Sequence, residues 1–334
     1  MKIDRALMGD LNDVAKSIQD MEAAGYDGAM SVETSHDPFF PLLLAAQNSE
    51  RIELMTSIAV AFSRTPMLLA NIGHDLNSYS KGRFILGLGS QIRPHITKRF
   101  GMPWSSPAKR MREFVMAMRA IWACWHEGQT LDFRGEFYTH SLMTPMFTPL
   151  DSQYGAPRVF LAAVGPLMTE VAGEVADGII LHAFTTEKYM REVTLPALET
   201  GLARGGRKRE DFEISYPAFV VSGRNEEEFK ATRDAVCKQI AFYGSTPAYA
   251  PVLGVHGWGD LQPELNRLSK EGKWDEMGTL ITDDILNEFA IVGEPGEAAD
   301  KFEQRFGDVV DRTTALFTPS DDDHRLALKA KSKA

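Results

Sequence analysis

Short apolar segments alternate with longer segments of helical spacing along most of the chain. Residues 51–62, RIELMTSIAVAF, are apolar and β-branched, which is typical of a strand buried in a parallel sheet. Residues 65–82 then repeat apolar side chains at helical intervals, with Pro66 near the first turn and Gly82 beyond the last. The two segments together predict one strand–helix unit.

This strand–helix pattern recurs until the chain contains eight predicted strands. They cover residues 1–7, 26–33, 51–62, 83–89, 157–165, 177–184, 211–223 and 311–319. Repeated units of this kind predict a parallel sheet with helices outside, and eight of them favour a closed barrel over an open doubly wound sheet. We therefore predict an α/β fold, a (β/α)8 TIM barrel with insertions at the C-terminal face of its strands.

Two segments interrupt the pattern. Residues 129–156 contain FRGEFYTH and several prolines, as an inserted loop or hairpin would. Residues 245–289 contain Tyr249, Trp258 and Trp274 among several Gly and Pro. A long aromatic insertion over a barrel mouth often acts as a lid that excludes water, although contacts between subunits are equally compatible with it. We predict a single domain over residues 1–318 and a charged tail over 319–334.

In TIM barrels the active site lies at the C-terminal ends of the strands, which directs attention to the residues that follow each predicted strand. After the second strand, Glu33 and His36 are suited to general acid–base chemistry, whereas Asp37 before Pro38 is typical of a helix cap. His182 ends the sixth strand and is placed to contact a ligand.

Gly87-Leu88-Gly89 ends the fourth predicted strand and looks like half of a dinucleotide-binding fingerprint. That fingerprint needs a third glycine at position 92, which is Ile, and an acidic residue about 20 positions further on, where the chain is mostly basic. The Rossmann interpretation is therefore rejected. The two glycines either admit a ligand close to the backbone or form a plain turn.

The segment 91–112 is basic in a chain of net charge −10. It contains Arg93, Lys98, Arg99, Lys109, Arg110 and Arg112 and no Asp or Glu. Such a segment at a strand's C-terminal end suits a phosphorylated or carboxylated ligand, although a solvated helix face has the same composition. Val164-Gly165-Pro166 begins a helix after the fifth strand and offers a second, weaker anion site.

Several classes of function are disfavoured by the composition. No run of about 18 apolar residues is present, the N-terminus lacks the apolar core of a signal peptide, and the acidic net charge argues weakly against nucleic acid as a partner. Cys124 and Cys237 are far apart and form no CxxC motif, so we expect no disulfide and a cytoplasmic location. No histidines have metal-ligand spacing, and no metal site is expected.

Three phrases resemble the bacterial luciferase-like superfamily. They are MTSIAVAFSRTPMLLANIGHDLNSYSKGRFILGLGSQ, AAVGPLMTEVAGEVADGIILH and VGEPGEAADKFEQRF, and the resemblance extends over nearly the whole chain between and around them. The sequence is most similar to the branch that uses coenzyme F420, an 8-hydroxy-5-deazaflavin. ETSHDPFFPLLLAA and QIAFYGSTPAY resemble one group of oxidoreductases within that branch.

The resemblance implies roles for particular residues. A non-prolyl cis peptide behind the flavin ring would correspond to Ser57-Ile58, followed by Ala59. The residues beside the ring and ribityl chain would be Gly87, Gly89, Ser90 and Gln91. Arg93 would lie near an anionic tail. Val164, Gly165 and Pro166 would contact the ring edge or a phosphate, with Thr185 and His182 nearby. Glu33 and Thr34 occupy the positions where relatives place an Asp–His pair, and His36 would substitute as the proton carrier.

The resemblance thus implies an F420-dependent oxidoreductase that transfers a hydride between the deazaflavin and a small organic substrate, and a homodimer. FMN in the same pocket would instead give a two-component monooxygenase that uses reduced flavin and oxygen. A third interpretation is a non-catalytic barrel that binds an anionic ligand. The glycines, the strand-end carboxylate and the long insertion argue against this last one.

Overall fold

The computed structural model describes residues 1–151 and 153–316. Eight parallel strands close into a barrel, since β12 pairs with both β1 and β10, and β10 also pairs with β9. The barrel strands are β1 Lys2–Ala6, β2 Gly28–Ser31, β3 Glu53–Thr56 with its continuation β4 Ala59–Val60, β5 Phe84–Gly89, β8 Arg158–Ala163, β9 Gly178–Leu181, β10 Glu213–Val221 and β12 Arg312–Leu316. The predicted TIM barrel is confirmed.

Helices surround the barrel, and their ends follow the signals in the sequence. α1 ends at Gly25, whose φ of 83° is left-handed, and α3 begins at Pro66 after Thr65, whose side chain accepts a hydrogen bond from the Leu68 N–H. The helices around the barrel are α1 Val14–Ala24, α2 Phe39–Gln47, α3 Pro66–Tyr79, α4 Pro107–Glu127, α5 Pro166–Val175, the short α6 Glu187–Tyr189, α7 Leu195–Gly205, α8 Glu226–Gly244 and α13 Pro295–Phe306. In the part of the chain that the structure describes, no helix has the length and apolar character needed to cross a membrane.

Both insertions are more regular than their composition indicates. The first forms an antiparallel hairpin, β6 Phe133–Arg134 and β7 Thr139–His140. The second consists mainly of helices, α9 Ala250–Gly254, α10 Leu261–Lys270, α11 Trp274–Thr279 and α12 Asp283–Phe289. An additional strand that the pattern did not predict, β11 Ala290–Val292, then pairs with the C-terminal part of β10, on the edge that β9 occupies nearer the start of β10. Both cysteines are free, and the predicted tail over 319–334 lies outside the described residues.

Six charged side chains fill the N-terminal end of the barrel. They are Lys2, Asp4, Glu53, Arg158, Glu213 and Arg312. The Arg312 side chain is completely buried and donates to both Asp4 oxygens, at 2.7 and 2.8 Å, and to Glu53 and Glu213 at 3.0 Å. Because three cations face three carboxylates, the burial of each charge is offset by its neighbours.

The same cluster controls the ionisation of Glu53 and Glu213. Burial favours the neutral form of Glu53, but the cations Arg312, Arg158 and Lys2 outweigh it and lower its pKa. Burial and the same cations act on Glu213 in the same way. A carboxyl with a lowered pKa in the folded state contributes stability that is present above its unfolded pKa of about 4.3 and is lost as the pH falls through the folded value.

Replacing Arg312 by Met should destabilise the fold by about 3–5 kcal/mol at pH 7, because it leaves buried carboxylates without their cation. The loss is measured as a lowered Tm. The difference from the wild type should narrow below about pH 4.3, where protonation relieves the uncompensated carboxylates. As a control, Arg267→Met, which removes an exposed pair with Glu264, should leave the Tm unchanged. Equal effects of the two substitutions would contradict this account.

Gly87 is required by packing within the barrel wall. A Cβ at this position would lie 1.8 Å from the Thr56 carbonyl oxygen, and the Thr56 hydroxyl donates to the Gly87 carbonyl at 2.7 Å. Gly89 is similarly constrained, since its Cβ would lie 2.7 Å from Ile58 Cδ1. These glycines therefore allow β3 and β5 to approach each other at the barrel mouth.

Gly87→Ala should lower the free energy of unfolding by about 3 kcal/mol or more, since backbone in β3 must shift to admit the methyl group. Gly165→Ala is the matched control, because no atom lies within 4 Å of the Cβ that it adds and its backbone is extended. Thermal unfolding of both variants checks the prediction. A Gly87→Ala protein as stable as Gly165→Ala would show that the contact with Thr56 is not rigid.

Candidate functional site

The predicted site residues follow five neighbouring strands. β2, β3, β5, β8 and β9 are adjacent in the sheet, so their C-terminal ends form one continuous half of the barrel mouth. Below this half, the barrel interior is apolar and consists of Met30, Met55, Ile85, Phe160 and Ile180. The candidate site is thus a polar rim above an apolar floor.

The floor contains the segment between β3 and β4. The Ser57-Ile58 peptide bond is cis, which confirms the expectation from the family resemblance. Ile58 packs against the apolar interior, and Ala59 pairs with Leu88 of β5. Because Gly89 carries no side chain, Ile58 lies directly against β5. Packing thus explains Gly87 and Gly89, and it leaves a mouth with little side-chain bulk.

Glu33 lies at the rim after β2 and is almost buried, with 6% of its side chain exposed. Its Oε2 accepts a hydrogen bond from the Val60 N–H and another from Arg64, both at 2.7 Å. Arg64 also donates to Asp37 at 3.0 Å, while the other Asp37 oxygen accepts the Phe39 N–H at the start of α2. Glu33 therefore fixes the chain beyond the cis peptide, and Asp37 has the predicted capping role.

The basic segment 91–112 divides into two parts. Arg110 is buried, contacts the Tyr138 hydroxyl and lies over the Phe62 ring, and Arg112 pairs with Glu174, so both belong to the packing of α4. Arg93, Lys98 and Arg99 are exposed on the loop after β5. The predicted anion site is thus narrowed to this loop.

That loop is joined to the loop after β2, since Arg99 donates to the Thr34 carbonyl. Thr34 and His36 are both exposed there. Ser90 is half-buried, and the next residue, Gln91, has a φ of 58°. A left-handed conformation is unusual for a residue other than glycine, and such residues cluster where a ligand is held.

The start of α5, directly after β8, presents backbone N–H groups that no described side chain caps. Gly165 is the N-cap and Pro166 is the first helical residue. A Cβ added at Gly165 would have no atom of the described residues within 4 Å. Val164 is held by its carbonyl, which accepts a hydrogen bond from the Tyr189 hydroxyl at 3.4 Å. An open helix N-terminus of this kind attracts anions.

His182 follows β9 and contacts the second insertion. Its ring lies 4.5 Å from Tyr243 and 4.9 Å from Tyr249, measured between ring centroids. Burial lowers the pKa of His182 to about 4. It lines a small cavity together with Val164 and the buried Thr185. In the described residues, no three His, Cys, Asp or Glu side chains are arranged to hold a metal ion.

Sequence reasoning missed two parts of this site. Arg64 was given no role, because its partner Glu33 is 31 positions away and no local pattern connects them. Tyr249 was noted only as one aromatic residue of the insertion, and its contact with His182 depends on how the insertion folds back. The catalytic roles of Glu33 and His36 stay predictions.

Comparison with known proteins places the chain in a family. The family model of luciferase-like monooxygenases matches residues 3–312. An uncharacterized protein of Mycobacterium tuberculosis is 55% identical over 95% of this chain and 93% of its own length. The F420-dependent glucose-6-phosphate dehydrogenase of Intrasporangium calvum is 27% identical over 87% of this chain and 81% of its own length.

A solved structure has the same fold. The coenzyme F420-dependent tetrahydromethanopterin reductase from Methanopyrus kandleri aligns with a TM-score of 0.79 at 20% identity, over 98% of this chain and 96% of that one. The family match extends over nearly the whole barrel, including the cis peptide and the mouth. The chain therefore belongs to the luciferase-like monooxygenase family.

Proposed function

We propose that this protein is an F420-dependent oxidoreductase that transfers a hydride between the deazaflavin and a small organic substrate. The observation that carries the proposal is the mouth itself. An apolar floor of low bulk at Ile58 and Gly89 lies between an exposed cationic loop after β5 and the open N-terminus of α5. These surfaces complement a flat ring that carries an anionic chain. The relationship to an F420-dependent dehydrogenase supports the choice of ring.

The residues present fit such a group. Ile58 would back the ring, and the Glu33–Arg64 pair keeps the Val60 segment beside it in place. The free N–H groups at the start of α5 would hold a phosphate, and Arg93 would meet the anionic tail. When bound, the deazaflavin supplies or accepts the hydride at its ring. His36 is exposed at the rim, where it is able to exchange a proton with solvent.

FMN is the alternative cofactor, and the match to a family of monooxygenases favours it. A flavin in this mouth would contact the same floor and the same helix N-terminus. The protein would then be a two-component monooxygenase that uses reduced flavin and oxygen. The exposed cations after β5 favour F420, because its longer anionic tail would reach them.

The proposal also includes a cytoplasmic homodimer with no nucleic-acid or membrane partner. Phe40 and Leu43 of α2 and Leu68 of α3 are large apolar side chains exposed on neighbouring helices, which is typical of an interface. Light scattering of the purified protein should give twice the mass of one chain, 37.1 kDa. A monomer at micromolar concentration would rule out the dimer and leave the cofactor proposal unaffected.

Fluorescence titration of the apo-protein with F420 and with FMN in parallel tests the cofactor. We expect F420 to bind at least ten times more tightly than FMN. Tight binding of FMN without binding of F420 would overturn the proposal in favour of the monooxygenase. Failure of both to bind would favour a barrel without flavin chemistry.

Arg93→Ala should weaken the binding of F420 by about tenfold, because it removes one charge-assisted contact to the tail. It should leave the affinity for a deazaflavin without the tail unchanged. Arg112→Ala is the matched control, since Arg112 belongs to the same basic segment but pairs with Glu174. Equal losses for both ligands would mean that Arg93 does not contact the anion.

A further inference from the structure

We propose that His182 and Tyr249 act together as uncharged hydrogen-bond donors that bind a neutral oxygen of the substrate, either a carbonyl or a hydroxyl group. His182 belongs to the barrel and Tyr249 to the second insertion. The proposal rests on the proposed function for the reaction in which that oxygen takes part. It adds the chemical class of the substrate and the residues that recognise it.

The tautomer of His182 follows from one backbone contact. The Phe184 N–H donates to His182 Nδ1 at 3.0 Å. A backbone N–H is only a donor, so Nδ1 must carry its lone pair, and the proton of the neutral ring is on Nε2. Burial against Tyr243 and Tyr249, which are uncharged, lowers the pKa of His182 to about 4 and keeps the ring neutral near pH 7.

The donor on Nε2 is available. It has no hydrogen-bond partner among the described residues, and it is not one of the polar atoms that are sealed from solvent without a partner. His182 also lines the cavity beside Val164 and Thr185, next to the open start of α5. A buried ring with one accessible N–H at a barrel mouth is suited to hold an acceptor atom.

Tyr249 supplies a second donor on the ring next to His182. Its ring lies 4.9 Å from His182 and is stacked on Phe184 at 5.7 Å. Burial, together with the neighbouring Tyr243, raises the pKa of Tyr249 to about 12, so its hydroxyl keeps its proton. Tyr243 differs, since its hydroxyl is hydrogen-bonded to Gln239.

The insertion is docked firmly enough to keep Tyr249 in place. His256 shares a hydrogen bond of 2.8 Å with Thr186, at the start of α6, and its ring is stacked on Trp258 at 4.5 Å. Lys188 donates to the Val255 carbonyl at 2.7 Å. Two contacts therefore hold the insertion against the start of α6, and the stacked Trp258 supports the His256 ring.

The chemistry of the pair selects a neutral oxygen. Aromatic rings surround both donors, and the nearby cation Lys188 is committed to a carbonyl. A carboxylate placed here would lose its hydration without gaining an opposite charge, which is costly. A carbonyl oxygen gains two hydrogen bonds instead, and these strengthen as negative charge develops on it.

The electron balance is simple in the direction of reduction. The carbonyl carbon receives the hydride of the reduced deazaflavin, the π bond breaks toward oxygen, and that oxygen takes a proton from water. The cofactor is oxidised by two electrons and the carbonyl is reduced to an alcohol. His182 and Tyr249 keep their protons throughout and only donate hydrogen bonds.

Ligand-observed NMR with the protein loaded with oxidised F420 tests the recognition. The probes are cyclohexanone, cyclohexanol and cyclohexanecarboxylate. We expect the ketone and the alcohol to bind and the carboxylate to bind at least ten times more weakly. His182→Phe should weaken ketone binding about tenfold and Tyr249→Phe several-fold, while His182→Gln, which restores an N–H, should recover part of the loss.

Tyr243→Phe is the matched control, because it removes a hydroxyl from the same aromatic cluster that is already bonded to Gln239. It should bind the ketone as the wild type does, and Tyr243→Phe and Tyr249→Phe should both keep the wild-type affinity for F420. Unchanged ketone binding in His182→Phe, or equal binding of ketone and carboxylate, would overturn this inference while leaving the cofactor proposal intact. If F420 does not bind at all, the proposed function fails, and the same probes applied to the apo-protein decide the recognition separately.

Nitrogen NMR of the histidine rings provides a readout that does not depend on any ligand. His182 should show a protonated Nε2 and an unprotonated Nδ1, with no titration between pH 5 and 8. An imidazolium signal at pH 7, or a proton on Nδ1, would also overturn the inference.

Discussion

The barrel depends on one buried guanidinium. Arg312 is the first residue of the last strand, and it can reach Asp4, Glu53 and Glu213 only when the first and last strands are paired. Gly28 leaves room for the contact, since a Cβ there would lie 2.2 Å from Asp4 Oδ1. The energetic gain of this cluster is therefore available only to the closed sheet, which couples barrel closure to the pairing of distant parts of the chain.

The two ends of the barrel have different uses. The N-terminal end holds balanced charges that are satisfied within the protein. The C-terminal end keeps polar groups that have no partner among the described residues, as at the start of α5 and on His182 Nε2. In barrels of this kind the C-terminal end of the strands carries the active site and the opposite end serves stability, which agrees with this division. The apolar layer between them keeps the two sets of charges apart.

How much the sequence predicts depends on the range of each interaction. The eight strands were predictable because the spacing of apolar residues and the positions of Gly and Pro are local signals. The cis Ser57-Ile58 bond, in contrast, was predictable only from the family resemblance. β11 was missed because three residues are too few to show a period. The Glu33–Arg64 pair and the crowding at Gly87 depend on residues about 30 positions away, which no local pattern connects.

The contact between His182 and Tyr249 has a consequence for how such a protein diversifies. The surfaces assigned to the ring belong to the barrel, while one of the two donors assigned to the substrate belongs to a helical insertion whose apolar residues pack on α8 and on the C-terminal part of β10. If the proposed pair binds the substrate, substitutions around Tyr249 would act on that substrate and leave the ring surfaces at Ile58 and Gly89 in place. New substrates can be acquired by exchanging or remodelling that one segment, with the redox chemistry inherited unchanged.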